Sequence, residues 1–169
     1  AVGYVYGRGM MQGVAASLFA PDASTDRAMI VTILHRLEGS PAALPAVFTD
    51  VQGNAYYAAP VAWAASCGVV TGYDDATFRP ASPITREQLA AILYRFAQYK
   101  GLDVAARGDL SAFPDASAVS LYAAEAMSWA VAVGLINGTD GRLDPGGTAS
   151  RAQVAVILQR LCVNLLKRP

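Results

Sequence analysis

The chain of 169 residues has one histidine, His35, and two cysteines, Cys67 and Cys162. That scarcity excludes a His/Cys metal centre, and two thiols are too few for a disulfide framework. Both cysteines lie inside helical patterns and read as small buried apolar side chains. No apolar run approaches the ~20 residues that a membrane-spanning helix needs. An excess of either charge is also missing, since 13 Lys and Arg face 13 Asp and Glu. A net charge of zero argues against a broad nucleic-acid or membrane-surface footprint. Neither a Gly-x-Ser-x-Gly elbow nor a GxxxxGKS phosphate loop occurs. An EF-hand reading of Asn137-Gly138-Thr139-Asp140-Gly141 fails on register, because Ile136 and Gly138 would stand where carboxylates belong. His35 sits on an apolar helix face with no His or Cys cluster around it, so it reads as structural or exposed. With no acid–base pair or ligand cluster, the chain does not read as an enzyme, and it calls for no cofactor and no metal. No basic segment followed by an apolar one opens the chain, so no signal peptide is visible.

What is present is one stretch, written three times. Gly72, Phe78, Pro80 and Arg86 stand at the same mutual distances as Gly13, Phe19, Pro21 and Arg27. Gly138, Leu143, Pro145 and Arg151 repeat the spacing with one residue deleted. Self-similarity at this period decides the architecture. The chain therefore reads as a single domain over 1–169, with repeats at 1–41, 48–100 and 113–166. Tyr4, Gly9 and Gly13 match Trp63, Gly68 and Gly72, and also Trp129, Gly134 and Gly138. In the later repeats a whole helix precedes the glycine, so the first repeat reads as truncated at its N-terminus.

The fold class is all-α. Helices are expected at about 26–38, 57–67, 121–133 and 150–166, with another after Thr85. After each arginine the same apolar stripe appears: Ile30, Ile33, Leu34, Leu37; Leu89, Ile92, Leu93, Phe96; Val154, Ile157, Leu158, Leu161. That spacing is one face of a helix. A single such helix buries its stripe only against a partner. Three equivalent ones suit a pseudo-threefold bundle, with each loop and first helix splayed outward; a linear stack of helical hairpins is the other solution.

Before each arginine stands Asp26, Thr85 or Ser150, all favoured helix N-caps. Gln88 and Gln153 complete capping-box patterns. Arg27, Arg86 and Arg151 thus occupy the first helical position, where the macrodipole mildly disfavours a cation. Three such arginines imply that an anion is expected nearby. Free first-turn N–H groups plus a guanidinium would hold a carboxylate or phosphate. The alternative is that each arginine pairs with an acidic side chain of a neighbouring repeat, such as Asp50, Asp74, Asp75, Asp115 or Asp140. Aromatic residues accompany the loops: Trp63 and Trp129 on the first helices, and Tyr57, Tyr73 and Tyr122 near helix starts or in loops. Aromatic faces with a few polar groups suit sugar rings, and both tryptophans also suit a core.

At these residues the chain resembles the S-layer homology (SLH) family. Its repeat opens with Phe-x-Asp-Val and carries a helix, a Gly-hydrophobic-hydrophobic-x-Gly turn, a loop ending Phe-x-Pro, and Ile-Thr-Arg-Ala-Glu. The second repeat reads FTDV, GVVTG, FRP and ITREQ; the third FPDA, GLING, LDP and ASRAQ; the first GMMQG, FAP and TDRAM, with no FxDV start. The resemblance implies a three-pronged spindle with a central three-helix bundle. It implies non-covalent attachment to a bacterial cell wall, hence an extracellular place at the wall or S-layer. The partner it implies is a secondary cell-wall polysaccharide, typically bearing pyruvate ketals, held in grooves between prongs. The ketal carboxylate would meet Arg27, Arg86 and Arg151. With the caps Asp26, Thr85 and Ser150 and the aromatics Tyr73, Trp63 and Trp129, these form the candidate ligand-binding set. The sequence departs from the family where Met29, Gln88 and Gln153 replace the acidic residue after Arg-Ala, although Glu87 stands one place earlier. The competing function is a cell-surface assembly module without sugar binding, self-associating through the truncated first repeat.

Overall fold

Three helices begin at the expected caps. The computed structural model of the chain describes residues 1–15, 18–42 and 48–168, so parts of the expected loop 14–25 and linker 39–47 lie outside the described residues. Asp26 Oδ1 accepts the Met29 N–H at 2.7 Å and opens α2, Arg27–Leu37. Thr85 and Gln88 form a reciprocal capping box that opens α4, Arg86–Tyr99. Ser150 and Gln153 do the same for α6, Arg151–Arg160. The stripes lie inward: Ile30, Leu34, Leu89, Leu93, Val154 and Leu158 are all buried.

The remaining α-helices precede the glycines: α1, Val2–Gly7; α3, Ala58–Ser66; and α5, Ala124–Ala132. Gly9, Gly68 and Gly134 end them at φ of 66°, 75° and 70°, a region open to a residue without Cβ. The expected helix from Leu121 starts instead as a 3₁₀ turn, Leu121–Ala123, before α5. At the other end, Leu161–Leu165 continues α6 with π-type bonding. Among the described residues the fold is mainly helical, with only isolated β-bridges outside the helices.

Each helix that begins at one of these arginines packs against one that ends at a glycine. The closest backbone approaches bring α2 against α3, α4 against α5, and α6 against α1. The starts of α2, α4 and α6 are joined in the same cyclic order. Arg27 N and Ala28 N donate to the carbonyls of Ser82 and Pro80 at 3.1 and 3.0 Å. Arg86 N and Glu87 N donate to Gly147 and Pro145 at 2.9 and 3.0 Å. Arg151 N and Ala152 N donate to Ala23 and Pro21 at 2.8 and 2.9 Å, which closes the ring. Bridges Asp26–Pro83, Thr85–Thr148 and Ser24–Ser150 follow the same order. Helix-start amides without a partner in their own helix are thereby satisfied by the next loop.

Each loop is bent to present those carbonyls. Ala20, Arg79 and Asp144, one place before each proline, take φ of 51°, 57° and 49°. Left-handed backbone costs a non-glycine residue about 1–2 kcal/mol, which the two helix-start bonds offset. A second anchor holds two of the loops. Asp50 accepts the N–H groups of Phe78 and Arg79 at 2.8 and 2.7 Å. Asp115 accepts those of Leu143 and Asp144 at 2.9 and 2.7 Å. Phe113 packs beside Gly138, where a Cβ would stand 2.9 Å from its Cε1. Phe48 fills the same space beside Gly72.

Candidate functional site

The three arginines are buried at the ring of helix starts, at 7%, 5% and 6% exposure for Arg27, Arg86 and Arg151. Each reaches across to the loop that receives its own helix start. Arg27 Nε donates to the Phe78 carbonyl at 2.9 Å, Arg86 Nε to Leu143 at 2.7 Å, and Arg151 Nε to Phe19 at 2.8 Å. Arg27 Cζ also lies 4.9 Å from the Tyr73 ring centroid and 4.7 Å from that of Phe78, both within cation–π range. Arg151 stands over Phe19 at 4.6 Å. Burial lowers the pKa of all three guanidinium groups from their usual value, yet arginine remains charged. Among the described residues no carboxylate comes within 4 Å of them. Of the acidic partners considered from the sequence, Asp50 and Asp115 hold loop amides and Asp75 pairs with Arg79 at 3.0 Å, while Asp74 lines the groove that Arg27 faces.

The arrangement corrects the sequence reading in three places. The first-turn amides are not free, because the neighbouring loop and the cap side chain take them; an anion site built from helix-start N–H groups does not exist here. The side chains of Asp26, Thr85 and Ser150 serve as caps and line none of the grooves described below. Trp63 and Trp129 belong to the core. Trp63 is 4% exposed among His35, Phe96 and Tyr99, and Trp129 is fully buried against Tyr94. The apolar area of an indole is worth most there, and neither ring lines one of the grooves described below.

Beside each arginine lies a groove lined by a distant turn segment and the helix that follows that turn. The Arg27 groove, about 460 Å³, is lined by Gly72, Tyr73, Gln88, Arg95 and Tyr122 as well as Arg27. The Arg86 groove, about 160 Å³, includes Asn137, Gly138, Gln153 and Arg160. The Arg151 groove, about 140 Å³, includes Gln12, Met29, Arg36 and Tyr56. Of the sequence candidates, the three arginines and Tyr73 therefore face grooves. A second arginine in each groove was missed. Arg36, Arg95 and Arg160 all stand nine residues after a motif arginine, a spacing visible in the sequence.

Two residues that open α4 order the tyrosines of the Arg27 groove. Gln88 Nε2 donates to the Tyr73 hydroxyl at 3.2 Å. Glu87, 9% exposed, accepts from Ser120 N and Ser120 Oγ, each at 2.9 Å, and from the Tyr122 hydroxyl at 3.2 Å. Burial first, and then the Glu87 carboxylate, push the Tyr122 phenol up to about 12. Guanidinium groups, aromatic faces and an amide suit an acidic sugar. Among the described residues no group of His, Cys, Asp and Glu is placed to hold a metal, and no helix is long and apolar enough to cross a membrane.

The family whose model matches this chain is described as the S-layer homology domain, and it matches residues 47–90 and 112–155, together more than half of the chain. Similar proteins include an endoglucanase of Bacillus sp. (strain KSM-635), 32% identical over 93% of this chain and 17% of the relative. A surface-layer 125 kDa protein of Lysinibacillus sphaericus is 31% identical over 95% of this chain and 14% of the relative. An amylopullulanase of Thermoanaerobacterium thermosulfurigenes is 28% identical over 91% of this chain and 8% of the relative. The chain thus spans less than a fifth of each, a small part shared by enzymes and a surface-layer protein.

Proposed function

Since the chain belongs to the S-layer homology family, we propose that it is a non-covalent anchor that binds an anionic secondary cell-wall polysaccharide in the grooves beside its motif arginines. Family membership and the surface-layer relative support a place at the bacterial cell surface. Residues 1–41 serve as a third repeat beside 48–100 and 113–166, and the three form a three-prong spindle. The cyclic hydrogen bonding of the helix starts supports both points. The module itself holds and does not cut. The wall polymer bears carboxylates, such as those of pyruvate ketals, and these meet Arg27, Arg86 and Arg151, with Tyr73 against the sugar.

One observation carries the reading. Three buried guanidinium groups stand at grooves, hydrogen-bonded to backbone carbonyls and, at Arg27 and Arg151, stacked on aromatic rings, with no ion-pair partner among the described residues. A buried cation is costly unless it is paired, and a carboxylate arriving from solvent supplies the pair. Co-sedimentation with purified cell walls tests it. The chain should pellet with intact walls and stay in solution with walls stripped of their secondary polysaccharide. Equal pelleting with stripped walls would overturn the proposal. Concentration-dependent self-association in gel filtration, without wall binding, would point instead to an assembly module.

A further inference from the structure

The three grooves are related by sequence, yet they are not equivalent. Volume separates them first: about 460 Å³ at Arg27 against about 160 and 140 Å³ at Arg86 and Arg151. Pockets that enclose an organic ligand usually run to about 300–1,000 Å³. Only the Arg27 groove lies in that range. One small side chain adds to its size. Ala91 lines it five residues after Arg86, where Thr32 and Val156 hold the matching positions of the other two.

Chemistry separates them next. Tyr73 forms one wall, where the matching residues are Val14 and Thr139. Tyr122 forms another, set by the Glu87 carboxylate. The positions matching Glu87 are Ala28 and Ala152, so the other grooves lack that device. Gln88 fixes the Tyr73 hydroxyl, whereas Met29 in the Arg151 groove offers no amide. Arg27 and Arg95 then supply two cations, against the one carboxylate of Asp74, to a cleft with an aromatic ring on each side.

Building on the anchoring reading, we propose that the Arg27 groove is the principal saccharide site of this chain. Arg95 and Tyr122 are its specificity-determining residues, and Glu87 is a positioning residue that acts through Tyr122. The ligand it fits is an acidic oligosaccharide segment. One carboxylate meets Arg27, the ring lies against the tyrosines, and a further acidic group meets Arg95. The smaller grooves contribute weakly.

Calorimetric titration with purified fragments of the secondary wall polysaccharide tests this on residues at the groove edge. Arg95→Gln should weaken binding about tenfold or more, the usual scale for losing a charge-assisted pair. Ala91→Val, which copies Val156, should also weaken it. Arg36→Gln and Arg160→Gln should each change affinity less than about twofold. A loss at Arg36 or Arg160 equal to that at Arg95 would overturn the groove assignment and leave anchoring standing. A native chain that releases no heat and does not pellet with walls would sink both. For Glu87, Glu87→Gln should weaken binding and bring the high tyrosine titration down, and Tyr122→Phe added to it should cost little more. Unchanged binding and unchanged titration in Glu87→Gln would refute the positioning role.

Discussion

Arg86 ties a helix start to the next loop and also lines a groove, so its replacement should be read in two steps. The side chain is 5% exposed, and its Nε–H reaches the Leu143 carbonyl at 2.7 Å. Arg86→Ala removes that bond. A hydrogen bond from a charged group is worth about 1.5–3 kcal/mol, and the carbonyl is left with one partner fewer. Truncation to Ala also removes two methylenes of the stem, Cγ and Cδ, each worth about 0.8 kcal/mol when buried. Against these stands relief from burying a cation, which the lowered pKa registers. The net expectation is a loss of about 2–4 kcal/mol, equivalent to roughly 5–12 °C in Tm for a domain of this size. Arg86→Met keeps most of the stem and should lose about half as much. Urea denaturation followed by circular dichroism measures both. A change in Arg86→Ala below about 0.5 kcal/mol, the ordinary surface level, would refute the view that these arginines lock one helix start onto the next loop. The remaining stability stays positive if the domain has an ordinary margin of about 5–15 kcal/mol, so wall binding can be assayed on folded protein.

Other consequences follow from the same geometry. Gly138→Ala should cost about 2 kcal/mol or more, since φ is 77° and the new Cβ would meet Phe113 and the Arg142 carbonyl. Gly146→Ala, with nothing within 4 Å, should stay within about 0.5 kcal/mol in the same denaturation assay. Burial pushes the Asp115 carboxyl up, but the Leu143 and Asp144 amides and Arg142 together outweigh it and hold it below the usual carboxylate range. Its folded pKa is depressed, so its contribution is present above about pH 4 and lost as pH falls through the lower folded value; Asp115→Ala should be less stable at neutral pH and flatten that acid limb in a denaturation series. Tyr122, raised to about 12, contributes stability below about pH 10 that is lost toward pH 12. Burial also raises Tyr4, Tyr56 and Tyr94, so ultraviolet titration should show a late step that shrinks in Tyr122→Phe, and a late step of unchanged size in that variant would contradict the Glu87 contact.

The fold was largely legible in the sequence because its signals are local. The stripe at Ile30, Ile33, Leu34 and Leu37, the caps Asp26, Thr85 and Ser150, and the stops at Gly68 and Gly134 each act within one helix turn or one helix length. The candidate site was legible only in part. The spacing singled out Arg27, Arg86 and Arg151, and all three stand at grooves. It did not show that the amides beside them are taken, because the acceptors are carbonyls of Ser82, Gly147 and Ala23, from 55 to 128 positions away, with no side-chain signature. Trp63 and Trp129 stayed ambiguous for a related reason. An aromatic residue on a helix suits a core or a sugar equally until burial is known. Glu87 stood out only as a departure from the family pattern; its tie to Ser120 and Tyr122 became visible when the chain was folded.

The central claim is that buried guanidinium groups receive carboxylates of a wall polymer. The most direct measurement is a calorimetric titration of the native chain with one polysaccharide in two forms, native and with its carboxylates reduced to alcohols. The account predicts saturable binding to the first and a loss of at least about tenfold for the second. Equal affinity for both would mean that the arginines serve the fold alone and that the wall is held by other contacts.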